Sequence, residues 1–181
     1  MAHPEQRAFF ERVKEMFPEH FCDVRVLDIG SLDVNGNLRG CFDAPFWYVG
    51  LDLGYGKNVD VVCPGHLFDC GFKFDTVVSA ECLEHDVFWD RTILNMVRLT
   101  RSGGLVAISC ATDGRKEHGT MNCEPMSAPL LRLISNKWAN YYRNLTEADF
   151  RNVLDVESLF CGFAFEVNEQ THDLYFWGIL R

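Results

Sequence analysis

The chain has 181 residues, of which 48% are hydrophobic and 24% charged, with a net charge of −9. That length fits one domain spanning 1–181, the apolar content excludes a disordered chain, and the acidic balance argues against a dedicated nucleic-acid binder, whose affinity comes from cationic contacts to phosphate. No apolar run approaches the ~18 residues that span a bilayer, the N-terminus is too polar for a signal peptide, and none of the eight cysteines forms a Cys-x-x-Cys pair, so free thiols in a cytoplasmic setting are expected.

Pro4 and the stripe Phe9, Phe10, Val13, Met16 and Phe17 predict an N-terminal helix within residues 1–20, ended by Pro18. Val24–Ile29 reads as a short strand that closes on Gly30. Asn35 is expected to cap a brief helix through about Phe42. Phe46–Leu53 is the second strand and Val59–Val62 a third. A parallel crossover normally needs a dozen or more residues, so the helix usual between these two strands is expected to be missing, replaced by the Gly54-Tyr-Gly56 link. Phe74–Ala80 is a buried strand, followed by a helix from about Asp86 to Thr100. Ser102-Gly-Gly104 reads as a turn and Leu105–Ala111 as the next strand. Thr146 with Asp149 resembles a capping box that opens a helix through about Phe160, with Gly162 as its stop. Phe163–Val167 and Leu174–Leu180 are close enough to form an antiparallel hairpin.

The stretch Val-Arg-Val-Leu-Asp-Ile-Gly, followed about 20 residues later by Trp-Tyr-Val-Gly-Leu-Asp52, pairs two strands that each end in an acid. In an open α/β sheet that spacing places Asp52 where a nucleoside ribose lies, able to accept hydrogen bonds from both hydroxyls. Gly-x-Gly-x-x-Gly is absent, which disfavours a nicotinamide cofactor.

Leu27-Asp-Ile-Gly30, Gly50-Leu-Asp52, Phe74 through Glu81-Cys-Leu-Glu-His85, Ser102-Gly-Gly-Leu105 and Tyr141 through Phe150 occur in an order that resembles the class I S-adenosylmethionine-dependent methyltransferases of the small "type 11" kind. The resemblance implies an α/β, Rossmann-like methyltransferase sandwich, with a mostly parallel seven-stranded sheet of order 3-2-1-4-5-7-6 and strand seven antiparallel. It implies S-adenosylmethionine as cofactor, with Asp28, Gly30 and Ser31 at its methionine end, Asp33 or Asn35 joining them, and Ser79 and Ala80 also near the methionine. Asp52 takes the ribose, and Leu53, Gly65 and His66 lie at the adenine. The sequence departs from the family pattern at Leu32 and Val34, which stand where two further glycines are usual.

Glu81-Cys-Leu-Glu-His85 follows the fourth strand, and three readings of it stand side by side. His85, with Glu81, is a general base for a substrate proton. Alternatively Glu81, Glu84, His85 and His118 bind Mg²⁺ or Mn²⁺, a pattern similar to that of some ubiquinone-pathway and small-RNA 2′-O-methyltransferases. The third reading has acids favouring a helix start beside a merely packed His85. Residues 113–143, with Arg115, Lys116, His118, Lys137, Trp138, Tyr141, Tyr142 and Arg143, read as a substrate lid suited to a small-molecule or sugar-like acceptor. The implied reaction is methyl transfer to oxygen or nitrogen of a small or medium acceptor. The alternative is a catalytically silent cofactor-binding subunit that acts with a partner.

Overall fold

The computed structural model describes residues 4–181. Seven strands form one sheet: β1 (Arg25–Ile29), β2 (Trp47–Asp52), β3 (Val61–Val62), β4 (Phe74–Ala80), β5 (Thr100–Ala111), β6 (Phe160–Asn168) and β7 (Asp173–Leu180). Their order is β3-β2-β1-β4-β5-β7-β6. β1 to β5 pair in parallel, and β7 runs antiparallel to both its neighbours. The expected order and the reversed strand are both present.

The central strands are buried on both faces, as parallel strands with covered faces must be. Val26, Tyr48, Val78 and Ala107 point to one side, where α1 (Pro4–Met16) buries Phe9, Phe10 and Val13. Phe9 stacks on Tyr175 of β7 at 4.6 Å. Leu27, Val49, Val77 and Val106 point to the other side, against Ile93, Met96 and Leu99 of α2 (Trp89–Leu99). Each such apolar side chain contributes about 1.5–3 kcal/mol on burial. Within the 1–20 stretch, Pro18–His20 is a 3-10 turn, and residues 1–3 lie outside the described residues.

Several local expectations are corrected. No helix forms over Asn35–Phe42, where only Arg39–Cys41 makes a 3-10 turn. Asp33 captures the local donors instead, accepting from the Gly36 amide at 2.8 Å and from Asn37 Nδ2 at 3.0 Å, an Asx turn that competes with helix. The third strand shrinks to Val61–Val62, exposed at the sheet edge. α2 starts at Trp89 rather than Asp86, because Leu83–His85 forms its own 3-10 turn. β5 leaves α2 directly at Thr100. The expected Ser102–Gly104 turn is a bulge within the strand, with Gly103 at φ +70° and a register shift opposite Phe74–Thr76.

The insertion after β5 carries two single-turn helices, α3 (Leu131–Ile134) and α4 (Asn136–Ala139). Its neck is closed by the Leu145 amide, which donates to Ala111 at 2.9 Å. Beyond it the single helix expected from Thr146 to Phe160 is two. The Thr146–Asp149 capping box opens α5 (Glu147–Val153), and Asp155 caps a fresh start at α6 (Val156–Leu159) by accepting from the Ser158 amide. Gly162 stops no helix and lies inside β6.

The helix between β2 and β3 is absent, as expected. The link that replaces it presses against the sheet: an added Cβ at Gly50 would stand 2.1 Å from the Asn58 carbonyl oxygen, and one at Gly56 would stand 2.2 Å from Leu32 Cδ1. Among the described residues no helix is long and apolar enough to cross a membrane.

Candidate active site

A cleft opens at the carboxyl ends of β1, β2 and β4, where open α/β sheets hold ligands. Gly30, Leu32 and Val34 form one wall, Asp52, Leu53 and Gly65 the second, and Glu81, Cys82, His85 and Asp86 the third. Ser127–Leu131 and Trp138 of the insertion close over it. Gly30 is obligatory here. Its φ is +84°, and a Cβ would sit 2.4 Å from Cys82 Cβ.

Asp52 ends β2 with its carboxylate held by two backbone donors, Leu53 N–H to Oδ1 at 2.7 Å and Leu32 N–H to Oδ2 at 3.0 Å. Burial pushes its pKa up while these two amides oppose the rise by favouring the charge. Each oxygen keeps a lone pair for a further donor.

The methionine-end residues divide. The Gly30 and Ser31 amides both donate to the Leu51 carbonyl (2.8 and 3.1 Å), and Ser31 Oγ donates to the Asn58 carbonyl at 3.1 Å. These groups hold the loop together. Asn35 is exposed and outside the cleft lining. Ser79 is fully buried, its hydroxyl tying β4 to β1 through the Ile29 carbonyl at 2.8 Å. Ala80 and Asp28 face a separate small hollow with Gly36 and Leu38. His66 is turned onto Phe88, with ring centroids 4.4 Å apart, and does not line the cleft. Cys82, Asp86 and Leu130 do line it, though sequence reasoning passed over them. For Asp86 the signal was its place directly after Glu84-His85.

Asp28 accepts from the Tyr48 hydroxyl at 2.7 Å. Burial pushes it from 3.8 up to about 6, the Tyr48 bond opposing. The folded protein thus binds this proton more tightly than the unfolded chain, so the group's contribution to stability falls as pH rises from 3.8 to about 6 and is level above. The difference is worth about 3 kcal/mol. Urea unfolding across this range is expected to show wild type losing that much relative to Asp28→Asn, and parallel curves would refute the assignment.

Beyond the cleft wall, Glu81, Glu84 and His85 are buried with His118 and Tyr142 beside them. Glu81 adopts φ +50°, a strained conformation for a residue with a side chain. Burial, then the charges of Glu84 and Asp173, hold its carboxyl well above the usual range, and Arg115 at 3.8 Å opposes. Burial likewise raises Glu84 and, with His118, holds His85 well below the usual imidazole value, so His85 is neutral. Ligand atoms of Glu84, His85 and His118 all lie within 4.8 Å of one another. Glu81 is outside that trio. Of the insertion's basic and aromatic residues, Arg115 reaches Glu81 and Trp138 reaches the cleft. Lys137 lies over the Phe88 ring, while Arg143 lies over Trp89 and pairs with Asp149.

No protein-family model matches the chain, and no curated protein matches it. Solved structures do. The N-methyltransferase NodS of Bradyrhizobium japonicum WM9, in complex with S-adenosylhomocysteine, superposes with a TM-score of 0.62 at 14% identity, over 98% of this chain and 88% of that one. The 1,6-didemethyltoxoflavin-N1-methyltransferase of Burkholderia thailandensis gives 0.61 at 16%, over 96% and 77%. Magnesium protoporphyrin IX methyltransferase of Synechocystis PCC 6803 gives 0.58 at 14%, over 100% and 89%. Together with the strand order and the cleft at the strand ends, these likenesses show that the chain has the class I S-adenosylmethionine-dependent methyltransferase fold.

Proposed function

We propose that this chain is an enzyme that transfers a methyl group from S-adenosylmethionine to oxygen or nitrogen of a small or medium acceptor. The observation that carries the reading is the half-buried Asp52 carboxylate at the tip of β2, set in an apolar cleft with lone pairs to spare. Asp52 holds the ribose, Leu53 and Gly65 flank the adenine, and Gly30 gives the cofactor close backbone approach. The three structures compared above all hold S-adenosylhomocysteine, one of them together with 1,6-didemethyltoxoflavin, and support the cofactor.

When bound, the cofactor supplies an electrophilic methyl on a sulfonium. The chain aligns the acceptor and excludes water. Residues 113–143 act as the lid, with Ser127–Leu131 and Trp138 over the cleft. Asp52 and Asp86 already accept from chain donors. Glu81 and His85 line the cleft with side-chain atoms that have no hydrogen-bond partner; the Glu81 carboxyl, held above its usual range, is the stronger base for a proton from the acceptor, with the neutral His85 beside it. The acidic balance supports a small-molecule or sugar-like acceptor over nucleic acid, and eight free cysteines suit a cytoplasmic setting.

Titration calorimetry of the full chain with S-adenosylhomocysteine is expected to give one site, and labelled S-adenosylmethionine to methylate a member of a panel of phenols, sugars and amines. Stabilisation by NAD without any S-adenosylhomocysteine binding would overturn the reading. Binding without transfer across the panel would reduce the chain to a cofactor-binding subunit.

A further inference from the structure

We infer that the methyl acceptor is an amine, cationic at neutral pH, and that its ammonium seats against Glu81 in the cleft wall. This deepens the methyl-transfer reading and rests on it for the reaction, while the preference for a cation stands on the charge and geometry of the wall.

The first observation is the sign of that wall. Asp52, Glu81 and Asp86 line the cleft with His85, and among the described residues that line it there is no lysine or arginine. Asp52 is bonded to the Leu32 and Leu53 amides, and Asp86 to the Phe88 amide and the Thr92 hydroxyl. Glu81 differs. Its side chain is 2% exposed, and neither carboxyl oxygen has a hydrogen-bond partner among the described residues. It also holds the strained φ of +50°, of a kind that persists where a site requires it.

The second observation is an excess of buried acid behind the wall. Glu84 and Asp173 are buried and both bear on the charge of Glu81, and the two Glu84 oxygens are unpartnered as well. One guanidinium answers these three carboxyl groups. Arg115 gives Nη1 to Asp173 at 3.1 Å and to the Thr171 carbonyl at 2.6 Å, and its Nη2 stops 3.8 Å from Glu81, beyond hydrogen-bond reach. The cluster is short of positive charge, and a ligand that brings one completes it.

An ammonium matches what is unmet. It carries a charge and, if primary, three donors. Glu81 offers two acceptor oxygens, and the buried His85 Nδ1, also without a partner, offers a third from the same wall in the tautomer with its hydrogen on Nε2. Trp138 lines the cleft too, and an indole face attracts a cation within about 6 Å. The fold has already stripped these groups of water, so an incoming cation finds them preorganised.

The same charges favour nitrogen over oxygen. An alkyl ammonium gives up its proton at ~10.4, whereas a hydroxyl like that of water holds it to ~15.7. A phenol is about as acidic as the ammonium, yet its phenolate would face acids with no lining cation to steady it. In the step itself one ammonium proton passes to a Glu81 oxygen. The freed nitrogen lone pair bonds to the methyl carbon, the methyl–sulfur electron pair stays on sulfur, and the product leaves as a methylammonium.

The test saturates the full chain with S-adenosylhomocysteine, which fills the cofactor end, and compares matched probes by saturation-transfer NMR and calorimetry. The probes are benzylamine, benzyl alcohol and benzoate, with cyclohexylamine and cyclohexanol as a second set. An amine is expected to bind at least about 10-fold more tightly than its alcohol, the scale of one charge-assisted hydrogen bond, and benzoate is expected not to compete. Glu81→Gln keeps the shape and removes the charge, and should bring each pair within about threefold, with circular dichroism certifying its fold. If no amine binds the wild-type chain more tightly than its alcohol, or if folded Glu81→Gln keeps the preference, the inference fails. Preferential transfer of a labelled methyl to an alcohol or phenol overturns it too. Failure of S-adenosylhomocysteine to bind would overturn the cofactor reading instead, and the same probe pairs on the free chain would then decide the cation site.

Discussion

Asp52→Ala is expected to weaken S-adenosylhomocysteine binding about 100-fold. Hydrogen bonds to a charged group are worth roughly 1.5–3 kcal/mol each. Two ribose hydroxyls on one half-buried carboxylate therefore supply about 3 kcal/mol, which is a factor of ~100 in affinity. The Leu32 and Leu53 amides, which now donate to this carboxylate, would lose their acceptor as well, so the loop wall should loosen and compound the loss. Asp52→Asn keeps one acceptor oxygen and should fall between. Calorimetry on the three proteins decides the matter: affinities within threefold of one another would remove Asp52 from the cofactor site.

Gly50→Ala should cost about 3 kcal/mol of stability, the upper end of what forced overpacking exacts. The new methyl would stand 2.1 Å from the Asn58 carbonyl and 2.8 Å from Ser31 Oγ. A backbone oxygen cannot swing aside as a side chain can. The link must lift away, pulling at the Asp60 amide bonded to the Gly50 carbonyl and at Asp60 Oδ2 bonded to the Gly50 amide, both at 2.8 Å. Gly40→Ala serves as the control, since its nearest neighbour is the Arg7 guanidinium at 3.5 Å. Urea unfolding should separate the two substitutions clearly, and equal stabilities would refute the tight crossing of link over sheet.

The strands were legible because both-face burial writes continuous apolar runs, and the reversed hairpin because its two runs lie a few residues apart. The missing helix was legible from chain length alone, since the residues from Leu53 to Asp60 are too few to hold one. What escaped was competition between neighbours. Asp33 diverted the donors that a helix at Asn35 needed, and Asp155 restarted a helix that periodicity read as one. The tight seating of Gly50 and Gly56 escaped as well, because what they approach is set by tertiary packing. At the site, Asp52 was visible from spacing. By contrast Ser31, Ser79 and His66 turned to partners that only the folded chain brings near: the Asn58 carbonyl, the Ile29 carbonyl and the Phe88 ring.

The closed neck beneath the insertion, where the Leu145 amide meets the Ala111 carbonyl, makes the segment over the cleft interchangeable. Because both ends are fixed to each other, the loop between them can lengthen or shorten without stretching β5 or displacing α5. Doubling such a loop adds only about 0.6 kcal/mol of closure entropy. Descendants of this chain can therefore rewrite a single surface segment while the strand ends below keep their register.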